Sequence, residues 1–298
     1  MPPAPPATGT VRAADGTAIS YRQLGTGPGL VLVHGGMQAS QNLLSLAGAL
    51  SGQFTIYIPD RRGRGRSGPY RNDHGLHTEI GDLRALLGQT GAHNVFGLSA
   101  GAVIALETAR SSAPITRLAL YEPPLSFDGV SHTAWVARYE RELAAGRLAA
   151  ALVTIMKGTA DHTALRYLPG FLLAGIIGLA ISQRPAPSTP AEPVTLAELI
   201  PTMHYDARTV SDAAGPLERF ADLPCDVLLL GGTKSTRNLA ATLDALSAVL
   251  PHARRVTLRG AGHTAADNGG KPGVVAAQLR AFFTKGHAPA ERTDVARR

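Results

Sequence analysis

The sequence predicts an α/β fold, a mostly parallel sheet with helices on both faces and an inserted helical cap. Three observations carry that expectation. Short apolar runs without polar alternation recur at residues 30–33, 54–58, 95–96, 115–121, 227–230 and 255–258, as expected of strands buried on both faces. Segments with helical spacing of apolar residues lie between them, so strands and helices alternate. Residues 125–223 then break the rhythm with a helical, apolar stretch that holds no convincing strand.

The elements follow in order. Residues 9–14 and 17–24 flank Asp15-Gly16, a hairpin dipeptide. The run at 30–33 ends in His34-Gly35-Gly36, that at 54–58 in Pro59-Asp60, and that at 95–96 in Gly97. The run at 115–121 ends in Glu122-Pro123-Pro124, that at 227–230 in Gly231-Gly232, and that at 255–258 is followed by Gly260. Helical spacing joins Leu43, Leu44, Leu46, Ala47 and Leu50, then Ile80, Leu83, Leu86 and Leu87, then residues 102–109, 239–250 and 274–283. Residues 184–193 are proline-rich and read as an extended connection. The expected organisation is a core of residues 9–124 and 224–286, a cap of 125–223, a disordered leader 1–8 and a flexible tail 287–298.

Composition narrows the function classes. A chain of 298 residues, 44% hydrophobic and 17% charged, can bury a sizeable core and is not disordered as a whole. No stretch reaches the roughly 18 uncharged apolar residues of a membrane span; the nearest is residues 171–181. The first ten residues have neither the basic nor the apolar region of a secretory signal. The single cysteine, Cys225, allows no intrachain disulfide and no cysteine-based zinc site, and a cytoplasmic location is expected. The net charge of +7 comes from 25 Arg and 4 Lys against 22 acidic residues. The main basic cluster, Arg61, Arg62, Arg64 and Arg66, sits inside a glycine-rich turn and the rest are scattered, so no nucleic-acid partner is expected.

The chemistry concentrates at strand ends, where open parallel sheets build their sites. Gly97-Leu98-Ser99-Ala100-Gly101 matches G-x-S-x-G between a strand and a helix. There a serine occupies a strained turn, flanked by glycines that leave room for the crossing, with Oγ standing proud of the sheet. Ser99 is the candidate nucleophile. The N–H groups of Gly36, after the first long core strand, and of Ala100 would form an oxyanion hole, with Met37 the neighbouring possibility. His34 reads as a brace for that loop. Triads in this architecture run in the order Ser, acid, His, which points to His263 in Gly260-Ala261-Gly262-His263 as general base; His204 is the alternative and His252 reads as exposed.

These features together resemble the α/β-hydrolase superfamily over about residues 9–285, the cap apart. The resemblance includes Asp60-Arg61-Arg62-Gly63-Arg64-Gly65-Arg66-Ser67, similar to that superfamily's D-x-x-G-x-G-x-S turn. It implies a triad acid in the loop after the strand at 227–230, but residues 231–238 contain no carboxylate, and the next, Asp244, lies mid-helix. A minority of the superfamily carries the acid after the strand that follows the nucleophile's helix, where this chain has Glu122; Asp267 is the runner-up. A glutamate there with a serine nucleophile is similar to the zearalenone lactonases, loosely so in the cap.

The function expected is a serine hydrolase cleaving a carboxylic ester or lactone of a small, mainly apolar molecule through an acyl-enzyme. An acyltransferase or cyclase using the same triad, or a ligand-binding protein on this fold, are the alternatives. Met37, Trp135, Met156, Leu168 and Phe171 are the expected pocket residues. With neither a cysteine cluster nor an H-x-x-x-H pair, no metal and no cofactor are expected.

Overall fold

The computed structural model describes residues 6–111, 113–159, 170–182 and 194–284. Its eight strands are β1 (Ala7–Arg12), β2 (Ala18–Leu24), β3 (Gly29–Val33), β4 (Thr55–Pro59), β5 (Asn94–Leu98), β6 (Arg117–Tyr121), β7 (Asp226–Gly232) and β8 (Arg254–Leu258). They form one sheet in the order β1-β2-β4-β3-β5-β6-β7-β8. β1 pairs antiparallel with β2 and β2 with β4; every later pairing is parallel. The chain is therefore a mostly parallel α/β sheet, as the apolar runs imply.

Both faces of the sheet are covered, which explains why its central strands are apolar without alternation. Val31, Val33, Leu118, Leu120, Val227 and Leu229 face one layer, packed with α2 (Leu76–Thr90), α3 (Ala100–Arg110) and α8 (Arg237–Val249). Their neighbours Leu30, Leu32, Ala119, Tyr121, Leu228 and Leu230 face the other, packed with α1 (Leu44–Leu50) and α9 (Pro272–Phe283). β8 is the edge strand, and only its Leu258 is deeply buried.

Two local readings are revised. The hairpin turn is longer than the Asp15-Gly16 dipeptide implies, because Ala13 N–H donates to Thr17 O (2.9 Å) and closes a loop between the strands. Within it Gly16 takes φ 83°, a conformation that needs no Cβ penalty only in glycine. β1 also starts at Ala7, inside the expected leader, because its ladder with β2 runs on to Ala7 opposite Gln23. The expected tail and the proline-rich connection lie outside the described residues.

Between β6 and β7 the described chain forms α4 (Val136–Ala144), α5 (Leu148–Thr159), α6 (Gly170–Ser182) and α7 (Leu196–Asp212). Tyr139, Ala151, Leu152, Ile155 and Ile200 make a core of their own, and α7 also packs on α2 and α3. Thr195 and Glu198 cap α7 reciprocally. Pro201 interrupts that helix's hydrogen bonds. The Tyr139 hydroxyl fills the gap, donating to Ile200 O (2.9 Å) and accepting from His204 N–H (3.1 Å). Among the described residues no helix is long and apolar enough to cross a membrane.

Candidate active site

Parallel register brings the strand ends of β3, β5, β6 and β7 to one edge of the sheet. After β5, Ser99 adopts φ 54° and ψ −120°, a strained conformation for a residue with a side chain. The turn is possible because its flanking residues are glycines. A Cβ on Gly97 would lie 2.5 Å from Ala102 Cα, and one on Gly101 2.4 Å from Val33 O. Leu98 pairs with Tyr121, and Ser99 N–H donates to Tyr121 O (2.9 Å), so Ser99 and Glu122 leave adjacent strands side by side.

Glu122 is fully buried, with φ 49°. Its Oε1 accepts from Gly232 N–H (2.7 Å) at the end of β7, and its Oε2 lies 2.8 Å from His263 Nδ1. His263 Nε2 lies 3.0 Å from Ser99 Oγ. A carboxylate at Nδ1 keeps the ring proton there, leaving Nε2 to accept from the serine hydroxyl. The His263 loop is tethered by the Tyr121 hydroxyl, which donates to Gly262 O (2.8 Å), and by Lys234 N–H, which donates to Ala261 O (2.8 Å).

The structure thus brings Ser99, Glu122 and His263 into one hydrogen-bonded chain, with Gly36 and Ala100 beside it in the pocket wall. The hydrogen bonds of the described residues leave the Gly36 and Ala100 N–H groups without an acceptor. The Met37 N–H is taken by Asp206 Oδ2 (2.8 Å) and is not available as the second donor. The other acids and bases weighed from the sequence are engaged elsewhere. Asp267 accepts from Gln38 Nε2 (2.7 Å), Asp244 pairs with Arg255 (2.9 Å), His204 meets Glu140 (2.9 Å), and His252 is exposed.

His34 does brace the loop. Its Nε2 accepts from Arg61 N–H (3.3 Å) and its Nδ1 faces Gly35 O (2.9 Å). Burial, with Arg64 and Arg61 nearby, holds its pKa well below the ordinary imidazole value, so the ring is neutral. Three arginines of the cluster, Arg61, Arg62 and Arg64, turn inward, and Arg66 is exposed. Arg61 pairs with Glu79 (2.6 Å) and Asp206 (2.8 Å), Arg62 with Asp82 (2.6 Å) and Asp15 (2.7 Å), and Arg64 with Asp206 (2.7 Å). Burial by itself would raise the Asp206 pKa, but Arg64 and Arg61 outweigh it and hold the group below the usual carboxylate value.

The pocket over these groups has a volume of about 660 Å³ including its open mouth. Trp135 lines it, together with Met203, Val210 and Leu239. Ser131, His132, Thr133, Thr236 and Asn238 add polar groups to the same wall. Tyr139, Ala151, Leu152, Ile155 and Ile200, on α4, α5 and α7, pack against one another. Met37 and Met156 pack against that cluster and are absent from the pocket lining. Leu168 and the Phe171 side chain lie outside the described residues. Asp206, Met203, Gln38, Tyr121 and the Gly232 N–H were not singled out from the sequence. Each is an ordinary residue whose role depends on a distant partner, so no local signal marks it.

A sheet of this order with a serine on the strained turn after β5 defines a class, and the chain belongs to the alpha/beta hydrolase family, whose model matches residues 30–278. It is similar to an alpha/beta hydrolase from Sphaerobacter thermophilus, with 33% identity, a TM-score of 0.73, and coverage of 93% of this chain and 100% of that one. It is also 35% identical over 96 residues to the uncharacterized hydrolase YraK of Bacillus subtilis, a match spanning 31% of this chain and about a third (35%) of that relative. An esterase from Thermogutta terrifontis has 18% identity and a TM-score of 0.71, covering 93% of this chain and 98% of the esterase. At that identity the likeness is one of fold alone. Family membership supports hydrolase chemistry in general.

Proposed function

We propose that the chain is a metal-independent serine hydrolase that cleaves a carboxylic ester or lactone of a small neutral molecule through an acyl-enzyme. The observation that carries this reading is the hydrogen-bonded chain Glu122–His263–Ser99, with spacings of 2.8 Å and 3.0 Å, on the wall of a pocket. Ser99 Oγ attacks the acyl carbon as His263 Nε2 takes its proton. The carbonyl oxygen, now negative, accepts from the Gly36 and Ala100 N–H groups. His263 returns the proton to the leaving alkoxide, and the acyl group stays on Ser99. Water then attacks the acyl-enzyme, giving up its proton to His263, and Ser99 leaves with a proton from the same imidazole. Glu122 orients the ring and stabilises its cationic form.

In this reading residues 125–223 are the cap that closes the pocket, and the enzyme works in the cytoplasm. The pocket beside Ser99 and His263 is where the acyl group or the lactone would sit. Its mixed lining favours a molecule with an apolar body and a few hydroxyl or carbonyl groups. A screen of esters and lactones read by mass spectrometry tests the activity. Hydrolysis adds one water to the substrate mass; a product carrying another alcohol or amine indicates acyl transfer instead.

Two further outcomes are expected. Activity should survive EDTA, since among the described residues no group of three His, Cys, Asp or Glu is placed to hold a metal ion. Loss on chelation that a divalent ion restores would refute this. Trp135→Leu should raise KM for bulky acyl esters by roughly tenfold with little change in kcat, the signature of lost uniform binding. Met156→Ala should instead lower stability through lost packing, by about 2 kcal/mol and visible as a lower melting temperature, and leave KM alone. An unmoved KM in Trp135→Leu would place the acyl group elsewhere.

A further inference from the structure

The peptide that carries the Gly36 N–H is held from both sides. On one side Gly35 N–H donates to Gln38 Oε1 (2.8 Å), and Gln38 is itself steadied by Asp267 (2.7 Å). On the other, Met37 N–H donates to Asp206 Oδ2 (2.8 Å). Met37 takes φ 52°, which L residues rarely adopt, so the loop needs such a restraint to keep its shape. The restraint comes from α7, 169 positions later and inside the insertion.

Asp206 is suited to that task. It is 2% exposed and is gripped by Arg61 Nη1 (2.8 Å) and Arg64 Nη2 (2.7 Å). Arg61 is anchored in turn by two bonds to Glu79 (3.0 Å and 2.6 Å). A Cβ placed on Gly36 would lie 3.2 Å from Asp206 Oδ2 and 3.1 Å from Met203 Sδ, so α7 is seated directly on the donor loop. A carboxylate this close to a developing oxyanion would oppose it, and the two guanidinium groups offset that charge.

We propose that Asp206 is a positioning residue of the oxyanion site: from α7 it captures the Met37 N–H and so holds the Gly36 N–H on the acyl oxygen. The donor loop is then complete only while the inserted helix sits on the core. This rests on the serine-hydrolase reading above.

The test uses the full chain, 4-nitrophenyl butyrate as substrate, and a trifluoromethyl ketone of matching chain length, whose adduct with serine places an oxyanion in the hole. Asp206→Ala should lower kcat by about 30- to 100-fold, part of the 10² to 10³ for loss of a whole donor. KM should stay within about threefold, and affinity for the ketone should fall in step with kcat/KM. Asp206→Asn keeps an acceptor for the Met37 N–H but loses the charge that Arg61 and Arg64 grip, so it should lose about three- to tenfold in both. If the two buried guanidinium groups prevent Asp206→Ala from folding, Asp206→Asn carries the test, with ketone affinity and kcat/KM falling together. Ketone affinity unchanged in a folded Asp206 variant overturns the proposal. Activity retained in Ser99→Ala, measured in parallel, overturns the serine-hydrolase reading itself, so the two failures are distinguishable.

Discussion

Ser99→Ala is expected to lower kcat by on the order of 10⁴ to 10⁶ while the protein stays folded. The size of the effect follows from the number of steps that use one oxygen. Ser99 Oγ, 3.0 Å from His263 Nε2, would form the acyl bond, carry the acyl group and leave again as the nucleophile is regenerated. Alanine keeps the backbone of the turn and removes only that oxygen, which among the described residues is hydrogen-bonded to His263. Stability should therefore change little, which a thermal melt will check. A fluorophosphonate probe should label the parent at Ser99 alone, because only an activated serine attacks phosphorus readily. Labelling that persists in Ser99→Ala would sink the assignment.

The second large effect concerns the acid. Glu122→Gln should fold normally and lose activity by roughly 10² to 10⁴. Glutamine has the same shape and can still accept from Gly232 N–H, which now meets Glu122 Oε1 at 2.7 Å. Its amide NH₂ would then face His263 Nδ1, a donor where the imidazole needs an acceptor. The ring would turn to the tautomer protonated at Nε2 and could no longer take the serine's proton, and the imidazolium would lose its anionic partner. Asp267→Asn and Asp244→Asn should keep most of their activity, since those carboxylates serve Gln38 and Arg255. A Glu122→Gln enzyme that outperforms Asp267→Asn would reverse the assignment.

Legibility was uneven along the chain. The core strands could be read because burial on both faces leaves an unbroken apolar run, and the helices because one apolar stripe repeats every turn. The edge strand β8, mostly half-exposed, gave a weaker pattern. In the insertion the residue types were readable but their direction was not. The same apolar helix can face a pocket or a neighbouring helix, and among the described residues Tyr139, Ala151, Leu152, Ile155 and Ile200 pack against one another.

The sequence by itself determined the alternation of strands and helices, the strained serine turn at residues 97–101, and the order in which the chemically suggestive loops occur. These depend on local chemistry: glycines where a side chain would collide, prolines after a strand, and periodicity that sets the element. It also narrowed the acid, because the loop at 231–238 offers no carboxylate. Only the tertiary structure decided which groups meet. The register of β5 on β6 sets Glu122 beside Ser99, Gly232 lends Glu122 an N–H, and Tyr121 ties the His263 loop. Folding also turns Arg61 and Arg64 inward onto Asp206, where charge alone described them only as basic. Such contacts join residues as many as 229 positions apart, as Gln38 and Asp267 are, and no local pattern encodes a partner at that distance; packing of the helices on the sheet does.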